Sequence, residues 1–204
     1  YLVLEKMIKL LVILLQMNTQ KPQEDLERNT LFLKEAIKKI KPYSLLMLWV
    51  VSFIVMGCIL GLLTKNSVNS WYLTLNHSPL TPPNYLFSVV WTTLYIMIAI
   101  SGWVIWQTKA LSLHSNKNTG NTLKKIKIFY IAQIILNWSW TPLFFTYHFI
   151  YLALICLIAI AILVSMIILK SYKTITVVSL LMTPYILWLL FAGYLNLYIC
   201  LYSL

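Results

Sequence analysis

The residue types that could do chemistry gather in one stretch, LNWSWTPLFF, from Leu136 to Phe145. Inside a long apolar run it carries the amide of Asn137, the indoles of Trp138 and Trp140, Pro142, and the rings of Phe144 and Phe145. A polar side chain in hydrocarbon is costly unless it meets a partner, so it turns toward the interior of a bundle. Asn137 therefore marks an inward face, and the rings around it offer a wall for a flat molecule to stack on. Two readings stand side by side. Either Asn137 bonds helix to helix and the rings are packing, or the segment is one wall of a binding site.

Other chemistries lack the residues they need. All five acidic side chains (Glu5, Glu24, Asp25, Glu27, Glu35) lie near the N-terminus, and none follows Glu35. A carboxylate acid/base pair, a carboxylate metal site or an intramembrane proton relay cannot be built from Ala36 onward. Cys58, Cys156 and Cys200 are far apart in apolar runs, without a CxxC or a His/Cys cluster, so they read as packing residues and no metal is expected. His77 and His148 are lone histidines at the ends of apolar runs. They read as a solvated loop residue and a membrane-interface residue.

These residues must be held by spans. The chain is 60% apolar and 10% charged, which is the composition of a membrane protein. The expected fold is all-α, a bundle of five transmembrane helices over 44–204 behind an N-terminal extension, 1–43. Tyr1 to Gln16 sets Lys6 and Lys9 before LLVILL, like the front of a signal peptide but with no small-x-small cleavage site. A translation start at Met7 or Met17 explains it equally well. Gln23 to Lys41, acidic in its first turns and basic in its last, reads as an amphipathic surface helix or as a solvated tail. The spans are expected at about Ser44–Thr64, Asn84–Trp106, Lys124–Phe145, Ile150–Leu169 and Ile175–Tyr202. Pro82 and Pro83 close the first loop and open span two. Gly57 and Gly61, four apart, suggest a close-packing face in span one.

A net charge of +11 is compatible with nucleic acid, but the lysines flank the spans. Lys34, Lys38, Lys39 and Lys41, then Lys109, Lys117, Lys124, Lys125 and Lys127, then Lys170 and Lys173 fall on one side, against Lys65 alone on the other. This asymmetry predicts a cytoplasmic N-terminus and an external first loop, with the lipid bilayer rather than nucleic acid as partner.

Three segments then line up with a known family. TPPNYLFSVVWTTLYIMIAISGWVIW, LNWSWTPLFF and TPYILWLLFAGYLNLYI resemble, in order and spacing, the translocator protein family, also called tryptophan-rich sensory protein (TspO) or peripheral benzodiazepine receptor. The resemblance covers roughly Trp49 to Ile199. It implies five transmembrane helices and a pocket beneath the first loop for porphyrins and other hydrophobic aromatic ligands, with no cofactor required. It also implies a multi-pass protein, placed here in a bacterial inner membrane. By position, Trp71, Trp91, Tyr95, Asn137, Trp138, Phe144, Trp188 and Ala192 become the ligand-binding residues. Trp91 and Tyr95 share a helix face, as do Trp188 and Ala192, where the small alanine leaves room for a ring. Trp91 and Trp188 are therefore expected to face one cavity under the Trp71 loop. Trp103 and Trp106 are expected at the membrane interface, and Trp49 there or toward the cavity.

The chain departs from the family in three places. His77, Ser78 and Leu80 replace the usual residues before Thr-Pro-Pro. Leu195 and Tyr198 lack the basic residue of a sterol motif. Ile128 and Ala132 stand where relatives carry two glycines, so a homodimer over that face stays open. The expected role is receptor, sensor or translocator for porphyrins. The alternative is light-dependent porphyrin breakdown, with Trp91 and Trp188 as redox partners.

Overall fold

A computed structural model describes residues 23–108 and 117–203, and side chains over 43–108 and 120–203. The expectations for Tyr1 to Gln16 lie outside these residues, and so does the amphipathic character of Gln23 to Lys41, whose backbone is helical. The chain divides into two units, Tyr1–Leu45 and Leu46–Leu204.

Among the described residues five helices carry the fold: α1 Gln23–Asn69, α2 Asn84–Gln107, α3 Lys117–Phe145, α4 Ile150–Ser171 and α5 Thr176–Tyr202. Each contains a stretch long and apolar enough to cross a membrane: Tyr43–Asn69, Asn84–Gln107, Gly120–Phe145, Ile150–Ser171 and Thr176–Tyr202. The expected five-span, all-α architecture is what the chain forms. A short 3₁₀ turn, Trp71–Thr74, lies in the first loop.

The packing follows from which stripe of each helix is small or polar. Along α4, Ala153, Cys156, Ile160, Val164 and Ile167 are buried at a spacing of three or four, while Ile155, Ile158, Ile162 and Leu169 face outward, as lipid-facing residues do. Helices α3, α4 and α5 pack side by side, and α2 packs on α5 and α3. The span of α1 meets its neighbours through large rings instead. Trp49 lies 5.4 Å from Trp106 and 6.2 Å from Tyr130, and Phe53 lies 5.6 Å from Trp138. Gly102 on α2 makes this possible, because a Cβ there would overlap Tyr130 and Trp49. The Tyr130 hydroxyl then donates to the carbonyl of Ile98 at 2.7 Å.

In hydrocarbon each hydroxyl needs an acceptor, and most take one from their own helix. Ser52, Thr64, Thr92, Thr93 and Ser139 each donate to the carbonyl four residues back, at 2.7 to 3.0 Å. Helix α3 ends in a reversed turn. His148 adopts the left-handed conformation (φ 58°), and the amide of Phe149 donates to the carbonyl of Leu143.

Candidate functional site

Beyond the ring contacts of Trp49 and Phe53, a cavity of about 480 Å³ opens among α1, α2, α3 and α5. That size lies within the range of small-molecule sites. Its aromatic wall is built from three rings in sequence. Trp91 on α2 lies 6.4 Å from Trp140 on α3, inclined by 26°, and Trp140 lies 5.5 Å from Phe144, inclined by 19°. Trp140 and Phe144 are one turn apart on α3, so their stacking is local. Trp91 joins them across the helix pair.

Opposite stands the small-residue stripe of α1. The Gly57 backbone approaches Tyr95 so closely that a Cβ would sit 2.7 Å from the ring. At Gly61 a Cβ would meet nothing within 4 Å. The expected close-packing face is thus divided: Gly57 packs, while Gly61 leaves volume. Ala192, Leu195 and Asn196 complete the α5 side.

Beneath the cavity lies a chain of hydrogen bonds. Tyr95, which lines the cavity, donates to Asn137 Oδ1 at 3.2 Å. Asn137 Nδ2 donates to the Tyr185 hydroxyl at 2.8 Å, and that hydroxyl donates to Gln133 Oε1 at 3.2 Å. All four side chains are buried. Asn137 therefore serves the bundle, spending both ends of its amide on α2 and α5. Asn196 ties α5 to the first turn of α4. In the amide orientation that satisfies it, Nδ2 donates to the Ile150 carbonyl and Oδ1 accepts from the Leu154 amide, both at 3.2 Å.

The first loop lies across the same end. Tyr72 reaches the cavity lining and packs against Phe145 at 5.6 Å and His77 at 4.5 Å. Burial pushes its phenol above the ordinary value of 10.0, so it is neutral at physiological pH. The loop is fastened to the end of α5. The Asn76 amide donates to Ser203 Oγ at 2.8 Å, Asn76 Nδ2 donates to the Tyr202 carbonyl, and Ser78 shares a hydrogen bond of 2.9 Å with Tyr194.

Of the eight residues expected from the sequence, Trp91, Tyr95, Phe144 and Ala192 line this cavity. The other four do not. Trp71 stacks on His148 at 3.9 Å and meets Phe144 edge-on, and from this loop it is Tyr72 that lines the cavity. Trp138 packs on Phe53. Asn137 lies one hydrogen bond behind Tyr95. Trp188 lies in a separate outward groove with Pro184, Leu187 and Phe191, against the expectation that it shares a cavity with Trp91. It meets Phe87, a residue of the cavity lining, edge-on at 5.8 Å. Trp106 packs inward on Trp49 and Tyr130, with Lys127 Nζ 5.5 Å from its ring. Trp49 makes these contacts and is not among the residues that line the cavity.

The TspO/MBR family pattern matches residues 48–202. The chain belongs to the TspO/MBR family. It is 34% identical over 133 residues to the tryptophan-rich protein TspO of Archaeoglobus fulgidus, covering 65% of this chain and 80% of that one. It is 30% identical over 152 residues to protein CrtK of Rhodobacter capsulatus, covering 74% and 89%. With the translocator protein of Bos taurus the identity is 29% over 136 residues, covering 65% and 75%. As a TspO/MBR protein with five apolar helices, it is a multi-pass membrane protein of the receptor and translocator class.

Sequence reasoning named Trp140 in the aromatic segment but left it, with Tyr72 and Gly61, out of the ligand-binding residues. Trp140 had a signal, since it is four residues from Phe144 and in the same motif. Gln133 had none beyond being an amide in an apolar run.

Proposed function

We propose that this membrane receptor or translocator binds porphyrins and similar flat hydrophobic molecules in the cavity walled by Trp91, Trp140 and Phe144. The observation that carries the reading is the run of three near-parallel rings facing an empty strip of α1 at Gly61. A planar π-system gains by stacking there, and Gly61 leaves room for its thickness. Among the described residues that line the cavity there is no histidine and no carboxylate. Equilibrium titration with protoporphyrin, read by quenching of indole fluorescence, tests it. Saturable binding that is lost on filling the cavity is expected, and binding indifferent to such a change rejects the site.

The alternative, light-dependent breakdown of the bound ring, would rest on Trp91 and Trp140 instead of Trp188, because those two indoles stack at the cavity. Product analysis after illuminating the complex separates it from binding alone. For orientation we infer a cytoplasmic N-terminus in the inner membrane, with the first loop and its cavity end on the outer face, from the lysine asymmetry.

A further inference from the structure

The cavity changes character along α1. Gly57 and Gly61 border its aromatic part, and the next residues on that stripe, each four further on, are Lys65 and Asn69. Thr64 beside them has its hydroxyl committed to the Leu60 carbonyl at 2.9 Å. Asn84, the first residue of α2, completes a polar end. Across the cavity stand Trp91, two turns further along α2, Trp140 beside it, and Phe144 under the first loop. The cavity is therefore amphipathic: rings on α2 and α3, and two amides and one ammonium on the last turns of α1 and the first turn of α2.

The ammonium is conspicuous for its charge. The unit that holds it, Leu46–Leu204, contains no Asp or Glu side chain. A cation on a cavity wall in a unit without carboxylates is set up to meet an anion that arrives from outside. The helical rise places that anion. Asn84 precedes Trp91 by seven residues, about 10 Å along α2. A ligand stacked on Trp91 thus reaches the polar end only if its acidic group extends from one edge of the ring system.

Resting on the binding reading above, we propose that Lys65 selects ligands by an anionic oxygen group. The ligand class is a flat apolar ring system bearing a carboxylate at one edge, with the carboxylate held by Lys65 at the polar end formed with Asn69 and Asn84. Such a carboxylate and a lipid phosphate share the same chemistry toward an ammonium. The ligand's own carboxylate is the partner proposed, because Lys65 borders the cavity itself. Lys65 is exposed, so water screens the contact and the preference is modest, about three- to fivefold in affinity.

The test uses the full chain in a maltoside detergent, which has no phosphate. Protoporphyrin and its dimethyl ester are titrated against the parent, Lys65→Gln and Lys65→Arg. The parent is expected to favour the free acid by about three- to fivefold, with the preference shrinking as salt is added. Lys65→Gln should abolish the preference by weakening the acid alone, and Lys65→Arg should keep it. Equal binding of acid and ester by the parent, or an equal loss of both in Lys65→Gln, overturns the role of Lys65 while leaving the ring-binding site intact. Failure of both compounds to bind overturns the site and the inference together. If acid and ester bind alike in maltoside, yet Lys65→Gln alone loses affinity for phosphatidylglycerol in nanodiscs, the partner is a lipid headgroup and the proposal is wrong.

Discussion

The indole of Trp91 on α2 stacks on the indole of Trp140 on α3 at 6.4 Å, and both rings line the cavity. Each should contribute to a bound flat ligand about 0.5–1.5 kcal/mol beyond its buried area. Trp91→Ala and Trp140→Ala are each expected to weaken protoporphyrin binding about two- to tenfold in fluorescence titrations. Trp188→Ala, in the outward groove, should stay within about twofold of the parent, a difference below 0.5 kcal/mol. A large loss in Trp188→Ala together with none in Trp140→Ala would reverse this assignment.

Asn137 bridges two phenols, so its loss leaves the Tyr95 and Tyr185 hydroxyls to find new partners. Asn137→Leu should cost about 1 kcal/mol of stability, as interhelical polar contacts in membranes do. Thermal unfolding in detergent reads this directly, and an unchanged midpoint would remove the network from the account of stability.

The two glycines of α1 should respond differently to the same small change. Gly57→Ala forces a methyl to within 2.7 Å of the Tyr95 ring. It should destabilise by about 1–3 kcal/mol, the usual range for overpacking. Gly61→Ala meets open space and should leave stability unchanged or slightly raised, since alanine favours helix. Equal effects at both sites would contradict the packing described here.

Orientation is checked by labelling from each side of intact cells. Cys58 is a free cysteine and is first replaced by Ser, so that any label reports the introduced thiol alone. Leu80→Cys in the first loop should then react with an impermeant maleimide from outside, and Gly120→Cys at the other end only after permeabilisation. The opposite pattern would invert the charge argument.

Most of the architecture was legible in the sequence because each span announces itself. Apolar length, and Pro82 and Pro83 at a helix start, follow from the residues' own chemistry. The site was half legible. Spacing tells which residues share a stripe, not which stripe faces the cavity. Trp188 and Ala192 are four apart, yet four residues turn a helix by about 40° beyond a full circle. At the edge between two faces that suffices to put Ala192 in the cavity and Trp188 in the outer groove. Trp71 misled for another reason. Its ring stacks on His148, whose left-handed backbone has no sequence signal as a glycine would. Gly61 was read as a contact because glycine pairs commonly are, and only the position of Tyr95 beside Gly57 decides which glycine packs.

The central claim is that the space beside Gly61 is where the ligand goes. Gly61→Phe fills that space from a position where a Cβ clashes with nothing, so the fold should survive. Protoporphyrin titration of this variant, with thermal unfolding as the control, is the most direct measurement. The account predicts an unfolding midpoint near the parent's and a loss of at least about tenfold in affinity, some 1.4 kcal/mol. A folded Gly61→Phe protein that binds protoporphyrin as tightly as the parent would contradict it.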